Sequence, residues 1–198
     1  GGSFYTVEDI EPIYHLCKMK NLKLHLDGAR LFNALVETGD DPKDYGGMFD
    51  GISICFSKGL GAPVGSVLAG DEETIHKARR IRKVLGGGWR QAGYLAAAAI
   101  YALDHHIERL KDDNLHAKAL GEVLKTKSFV KHVLPVDTNI VIFELDEHYR
   151  CERFIDSLAQ AGIRCTSFGP QMIRFVTHLD VTPQMIDYTI QVLNKLQH

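Results

Sequence analysis

The sequence of 198 residues contains few cysteines, no long apolar run and almost no net charge. Its four cysteines form no Cys-x-x-Cys pair, which argues against a disulfide framework or a zinc site and indicates reduced thiols in a cytoplasmic protein. No apolar run approaches the roughly 18 residues of a membrane span. With 23 basic and 25 acidic residues, the chain has no charge excess that would favour nucleic acid or an anionic membrane as a partner.

Several cofactor and metal motifs are also missing. Residues Gly59–Gly65 resemble a dinucleotide-binding fingerprint, but the third glycine comes one residue late and the segment leads into a predicted strand, so we reject that interpretation. The sequence holds no Gly-x-Ser-x-Gly elbow, no P-loop and no His-Glu-x-x-His motif. His105 and His106 are adjacent on a predicted helix, so their side chains point in different directions, which argues against a metal site there.

Glycine is concentrated in one third of the chain, where 13 of the 18 glycines lie between Gly28 and Gly93. Around these glycines the pattern predicts a mixed α/β sheet with strands over residues 22–27, 52–56 and 64–69. The first two strands are far enough apart in the chain to be parallel. The seven residues between the last two are too few for a parallel crossover, so that pair should be antiparallel.

The other predicted elements are helices and a second group of strands. In the first half, helices are expected over residues 6–19, 72–85 and 91–124. After residue 128 the pattern predicts strands over 129–136, 139–145, 163–168 and 172–177, and helices over 151–161 and from Pro183 onward. Thr182 would cap that last helix, and Pro12 is expected in the first turn of the first helix. The second group predicts a small α+β unit, which we place at residues 109–198.

Two residues with reactive side chains stand at the ends of predicted strands. Asp27 closes one strand, and Lys58 follows the next, beside Ser57 and before glycines that would let a planar ligand approach the backbone. Ligands of α/β sheets bind outside the carboxyl ends of the strands. A lysine amine facing a carboxylate there suits the aldehyde and the pyridinium nitrogen of pyridoxal phosphate. The alternative is a plain Asp27-Gly28 turn and a solvated Lys58.

Four segments together resemble the low-specificity L-threonine aldolases, which are pyridoxal-phosphate enzymes of the aspartate-aminotransferase fold, fold type I. These segments are His25–Ala34, Phe56–Ser66, Arg79–Gly93 and Met172–His178. Trp89 departs from the pattern, since methionine is expected there. The resemblance implies an α/β fold in which residues 1–108 are the C-terminal part of a mixed-sheet cofactor-binding large domain. Residues 109–198 would then be the small C-terminal α+β domain.

The resemblance also implies roles for individual residues. Lys58 would form the Schiff base with the cofactor, and Asp27 would bind the pyridine nitrogen. Arg30 would hold the substrate carboxylate or a cofactor oxygen, and Arg174 would be the main carboxylate clamp, because a planar guanidinium fits a carboxylate in two bonds. A surface arginine at position 30 and a structural ion pair at Arg174 are the alternatives.

Further residues are candidates for the cofactor phosphate or for support. Ser57 would touch the phosphate, or else cap a turn. Lys83 and Arg90 flank three glycines and would lie near a cofactor phosphate, of the same or of a neighbouring subunit, or else offset the dipole of their own helix. His25 could donate a hydrogen bond to Asp27 or be a core histidine, and His178 is expected to be structural.

The activity implied by the resemblance is retro-aldol cleavage of L-threonine or L-allo-threonine to glycine and acetaldehyde. The enzyme would be a pyridoxal-phosphate-dependent lyase of amino acid metabolism without a metal. It would work in the cytoplasm as a homotetramer, a dimer of dimers with shared active sites. In this family the phosphate-binding loop and a ring-stacking histidine precede the strand of Asp27. The 26 residues before Asp27 resemble neither, so we expect an N-terminally incomplete chain.

Two alternatives to a threonine aldolase stay open. Another fold type I enzyme, similar to a serine hydroxymethyltransferase or a β-eliminating lyase, would share Asp27 and Lys58 but differ in its carboxylate clamps. A catalytically silent fragment would act only as an assembly or structural module.

Overall fold

The computed structural model describes residues 1–196, and in it the chain divides into two units. Phe4–Glu108 form the first unit, and the second unit combines Gly1–Ser3 with the chain from Arg109 onward. None of the helices in residues 1–196 combines the length and the apolar character needed to cross a membrane.

The first unit contains five helices and one sheet within its described residues. In chain order the elements are α1 (Val7–Met19), β1 (His25–Gly28), α2 (Leu31–Thr38), α3 (Pro42–Met48), β2 (Gly51–Cys55), β3 (Ser66–Gly70), α4 (Glu72–Val84) and α5 (Gly93–His105). The sheet has the order β1-β2-β3, with β1 parallel to β2 and β2 antiparallel to β3. Both predicted strand directions are confirmed, because the length of each connection limits how the chain can return to the sheet.

A small apolar core holds the first unit together. Its buried members are Ile10, Leu31, Leu35, Tyr45 and Ile52. They come from α1, α2, α3 and β2, so these three helices pack against the parallel part of the sheet. By contrast, all five residues of β3 are exposed.

The amino ends of β1 and β2 are tied together by Asp50. Its carboxylate accepts hydrogen bonds of 2.9 Å from the Leu24 backbone N–H and from the Lys23 ammonium. The Leu24 N–H, the Lys23 hydrogen bond and the positive charge of Lys18 together hold the pKa of Asp50 below its ordinary value. The charged carboxylate therefore stabilises the register of the parallel pair.

The predicted place of Pro12 and the predicted loop before β2 are both wrong. Pro12 is the sixth residue of α1 and not in its first turn, because the capping box of Thr6 and Asp9 starts the helix at Val7. The segment expected as a loop before β2 contains α3, which Asp41 caps and Pro42 begins.

The continuous helix expected over residues 91–124 is also wrong. The chain forms α5, which ends at His105, and α6 (Leu110–Lys125). The sequence has neither glycine nor proline over residues 94–120, so no local signal marks the break. A contact with a distant part of the chain marks it instead, since the His106 ring binds the Leu60 carbonyl.

The second unit is a four-stranded antiparallel sheet covered by helices. After α6 its elements are β4 (Val130–Val133), β5 (Ile140–Leu145), α7 (Cys151–Gln160), β6 (Thr166–Ser167), β7 (Met172–Val176) and α8 (Pro183–Lys195). The sheet order is β4-β5-β7-β6. Thr182 caps α8 by accepting from the Met185 N–H, and Pro183 is its first residue, as predicted.

The two faces of this sheet differ. Val141, Phe143, Ile173 and Phe175 point into the main core, where residues of α6, α7 and α8 pack against them. The opposite face carries Ile140, Ile142 and Arg174. Gly1 and Gly2 lie against Ile142 and Ile140, with no room for a Cβ atom, and the Thr138 hydroxyl donates to the Gly2 carbonyl at 2.5 Å.

Candidate active site

Asp27 and Lys58 lie at the same edge of the first sheet. β1 and β2 are parallel, with Asp27 opposite Ser53, so their carboxyl ends meet at one edge. Asp27 is the third residue of β1, and Lys58 follows the end of β2 by three residues. Both side chains are exposed. The edge therefore presents an amine and a carboxylate to the same side of the sheet, where ligands of α/β proteins bind.

The chain around Asp27 is tightly constrained. The Asp27 carboxylate accepts a hydrogen bond of 3.1 Å from the Ala29 N–H, which forms a turn directly after the strand. A Cβ atom at Gly28 would lie 2.7 Å from the Ser53 carbonyl oxygen, so only glycine allows β1 and β2 to approach this closely. The position of Asp27 is thus fixed by both its own turn and its neighbouring strand.

Lys58 lies in a loop formed by residues 56–65, here called the lysine loop. The Phe56 N–H donates to Gly65 O at 3.0 Å and the Ala62 N–H donates to Phe56 O at 3.0 Å, so the loop is closed at its base. Within it, the Gly61 N–H donates to Lys58 O at 2.9 Å. Leu60 is buried, whereas Lys58 is exposed. The backbone of the loop is therefore anchored while the amine is free to meet a ligand.

Ser57, Lys83 and Arg90 are exposed residues of the first unit. Lys83 lies in the last turn of α4, where a cation also offsets the helix dipole, so that alternative keeps its support. A Cβ atom at Gly88 would overlap the Lys83 side chain, which shows that this side chain folds over the glycine segment. Arg30 is partly buried and stands immediately before α2, three residues from Asp27.

Arg174 lies in the middle of β7, on the sheet face opposite the main core. It pairs with Ile142 of β5 and Thr166 of β6. Its guanidinium carbon is 5.4 Å from the centre of the Phe168 ring, a cation–π contact. Within residues 1–196, Arg174 makes no salt bridge, and its buried Nε has no hydrogen-bond partner. The structural ion pair considered for Arg174 is therefore not formed.

Two histidines near the candidate residues have other contacts. The His25 side chain is exposed and its Nε2 is 3.4 Å from the Ser53 hydroxyl, so it is not a core histidine. His178 accepts a hydrogen bond from the Asp180 N–H at 3.3 Å, which agrees with a structural role. Ser53 lies beside these candidate residues without any signal in the sequence, because its position opposite Asp27 depends on the strand register. No group of three or more metal-ligating side chains occurs in the part of the chain that the structure describes.

A comparison with known families decides which family this arrangement represents. The family described as Beta-eliminating lyase matches residues 1–148. The chain belongs to this beta-eliminating lyase family. The match includes β1, β2 and the lysine loop, so the candidate residues of the first unit lie inside the matched segment.

Several curated relatives of this chain are named low-specificity L-threonine aldolases. A probable low-specificity L-threonine aldolase 2 of Arabidopsis thaliana is 39% identical over 201 residues, covering 100% of this chain and 57% of the relative. The low-specificity L-threonine aldolase of Candida albicans is 44% identical over 186 residues, covering 94% of this chain and 49% of the relative. These similarities confirm the resemblance seen in the sequence. The chain spans about half the length of the curated relatives it matches.

Solved structures confirm the fold. A putative aromatic amino acid beta-eliminating lyase/threonine aldolase from Exiguobacterium matches with a TM-score of 0.82 and 25% identity, covering 98% of this chain and 58% of that one. A Leishmania major threonine aldolase matches with a TM-score of 0.82 and 21% identity over 98% of this chain and 57% of the other. The predicted α/β architecture of fold type I is therefore correct.

Proposed function

We propose that this member of the beta-eliminating lyase family cleaves L-threonine and L-allo-threonine to glycine and acetaldehyde with pyridoxal 5'-phosphate as cofactor. The observation that carries the proposal is the placement of the Lys58 amine and the Asp27 carboxylate at one carboxyl edge of the parallel pair β1–β2. The names of the curated relatives supply the reaction class.

The residues present fit this cofactor chemically. The Lys58 amine is exposed on an anchored loop and can hold an aldehyde carbon. Gly28 lets the two strands approach closely beside Asp27, whose carboxylate suits a protonated ring nitrogen. The aldehyde and the ring nitrogen are the two groups of the cofactor that need such partners.

In the proposed mechanism the side chains of the candidate site bind the cofactor or the substrate. When bound, the cofactor supplies an electron sink for the bond that breaks. Asp27 would hold a proton at the pyridine nitrogen, and Lys58 would hold the cofactor through its amine. Arg174 binds the substrate carboxylate through its guanidinium donors, and Arg30 binds the carboxylate or a cofactor oxygen.

The atoms of the reaction balance without another reactant. A base takes the proton of the β-hydroxyl, the Cα–Cβ bond breaks, and the aldehyde leaves with both carbons of the side chain. A proton then returns to Cα, which yields glycine. Substrate and products therefore differ only in this bond and in the position of one proton.

The remaining roles extend beyond a single chain. We propose that Ser57, Lys83 and Arg90 bind the cofactor phosphate, the last two from a neighbouring subunit of a homotetramer.

We assign residues 1–108 to the cofactor-binding domain and residues 109–198 to the small domain. A cytoplasmic location is proposed because all four cysteines are free thiols.

The proposal is tested by incubating the 198-residue chain with the cofactor and with L-threonine or L-allo-threonine. We expect glycine and acetaldehyde in equal amounts, and borohydride should fix the cofactor at Lys58, as located by peptide mass spectrometry. Lys58→Arg should abolish both signals, because a guanidinium does not replace the primary amine. Lys43→Arg, at an exposed lysine of α3, is the matched control and should keep both.

Two other results would contradict the proposal. Release of ammonia and a 2-oxo acid from the substrate would identify β-elimination, the chemistry in the family's own description. Failure of the wild-type chain both to cleave threonine and to attach the cofactor at Lys58 would identify a catalytically silent fragment.

A further inference from the structure

One side chain from outside the lysine loop reaches its backbone near Lys58. The His106 Nδ1 is 2.6 Å from the carbonyl oxygen of Leu60. A carbonyl oxygen can only accept, so Nδ1 carries the proton and donates it. The hydrogen bond therefore joins the His106 ring to the backbone of the lysine loop.

The His106 ring is itself held in one orientation. His106 is the C-terminal cap of α5, and its N–H donates to Ala102 O at 2.9 Å. Its ring meets the Tyr101 ring edge to face, with 5.6 Å between the centres and 85° between the planes. The Nδ1–H bond therefore starts from a ring that the helix end places and that the exposed Tyr101 ring contacts on one side.

The Leu60 carbonyl and the Gly61 N–H belong to the same peptide unit, which is planar, so they point in opposite directions. His106 binds the carbonyl side at 2.6 Å, while the Gly61 N–H donates to Lys58 O at 2.9 Å. A rotation of this peptide plane would break both hydrogen bonds. The two glycines around Leu60 would otherwise make such a rotation easy, and Gly61 already has a φ of 70°.

We propose that His106 is a positioning residue that clamps the Leu60–Gly61 peptide and thereby fixes the direction in which the loop presents Lys58. The role of Lys58 in this statement rests on the proposed function, whereas the clamp on the loop does not. No sequence pattern indicates this role of His106, since Leu60 is 46 residues away.

Three variants separate the hydrogen bond from the bulk of the ring. His106→Asn places an amide N–H close to the position of Nδ1, His106→Gln places it close to that of Nε2, and His106→Ala removes the donor. The neighbouring His105→Ala is the matched control, because His105 also packs on Tyr101, with 4.3 Å between the ring centres.

The first measurement is amide hydrogen exchange of residues 56–65 in the 198-residue chain without cofactor. Exchange at the Gly61 amide should rise roughly tenfold in His106→Ala and His106→Gln, the effect of losing one hydrogen bond to a buried group. His106→Asn and His105→Ala should stay close to wild type. If His106→Ala speeds exchange throughout the first unit, the exchange rates of the Gly61 amide in His106→Asn and His106→Gln are compared instead. Equal protection in those two variants overturns the clamp.

The second measurement tests the consequence for Lys58. Pyridoxal 5'-phosphate is the probe, and borohydride fixes it covalently where it has reacted with Lys58. The amount attached at Lys58 should fall several-fold in His106→Gln and return to the wild-type level in His106→Asn. The thermal unfolding midpoints of both variants should equal that of wild type. Unchanged attachment in His106→Gln contradicts the positioning role. If wild type itself shows no attachment, the proposed function fails, while the exchange measurement still decides the clamp.

Discussion

Arg174 has a donor that the described chain does not use. Its Nε is buried without a hydrogen-bond partner, and leaving such a group unsatisfied costs about 1–3 kcal/mol. The Phe168 ring contacts the guanidinium at 5.4 Å but offers no acceptor in the plane. An arginine held by an aromatic ring and short of an acceptor is suited to a carboxylate ligand.

Replacement of Arg174 by lysine should weaken substrate binding selectively. Lysine keeps the charge but cannot form two parallel bonds to a carboxylate, so KM for L-threonine should rise about tenfold, with a smaller change in kcat. Steady-state kinetics of glycine release measures both constants. Arg164→Lys, at an exposed arginine of the same unit, serves as the control and should leave both unchanged. An unaltered KM in Arg174→Lys would exclude the carboxylate role.

At the scale of single elements, Asp50 determines how the pair β1–β2 responds to acid. Because the Leu24 N–H and Lys23 lower its pKa below 3.8, the charged form is favoured by folding. Its contribution is therefore fully present above about pH 4 and is lost as the pH falls through the lowered pKa.

The Asp50→Asn variant should remove this acid-sensitive contribution. Urea unfolding between pH 2 and 7 should show wild type more stable than the variant at neutral pH, with the difference shrinking toward zero at the acid end. Glu11→Gln, an exposed site on α1, controls for the loss of one negative charge. A difference that is constant across this range would contradict the assignment.

The bounds and directions of helices and strands could be predicted where they depend on neighbouring residues or on the length of a connection. The direction of β3 follows from a connection too short for a parallel crossover, and the start of α8 follows from Thr182 and Pro183. The break after α5 was not predictable, because what accompanies it is a hydrogen bond from His106 to the distant Leu60. Propensity and periodicity describe neighbours in sequence, and a contact across 46 residues leaves no trace in either.

Some residues of the candidate site could likewise be predicted from the sequence, and others could not. Asp27 and Lys58 could be found because strand ends and glycines mark them in the sequence. Ser53 could not, since its place opposite Asp27 depends on the register of two strands. His106 could not either, because a ring nitrogen binding a backbone carbonyl has no pattern of residue types.

At the scale of the whole molecule, the first unit exposes a large amount of apolar surface. Leu85 is 79% exposed and Tyr94 is 85% exposed, and all residues of β3 are exposed. Where exposed apolar side chains adjoin one another on a folded protein, they mark interaction surfaces. This surface supports the proposed self-association.

The 198-residue chain should therefore form oligomers through its first unit. Light scattering coupled to size-exclusion chromatography should give a mass above the 22.1 kDa of one chain. The double variant Leu85→Glu and Tyr94→Glu should shift the mass toward the monomer, because it places two charges in the apolar surface. Met185→Glu, at an exposed methionine of the second unit, is the control. A monomeric wild type would contradict the homo-oligomer.

The packing of Gly1–Ser3 within the second unit has a consequence for synthesis on the ribosome. These residues leave the exit tunnel well before Thr138, Ile140 and Ile142, against which they pack. At 5–20 residues per second the interval is on the order of ten seconds. Residues 1–3 therefore cannot dock against Ile140 and Ile142 until the whole intervening first unit has been synthesised.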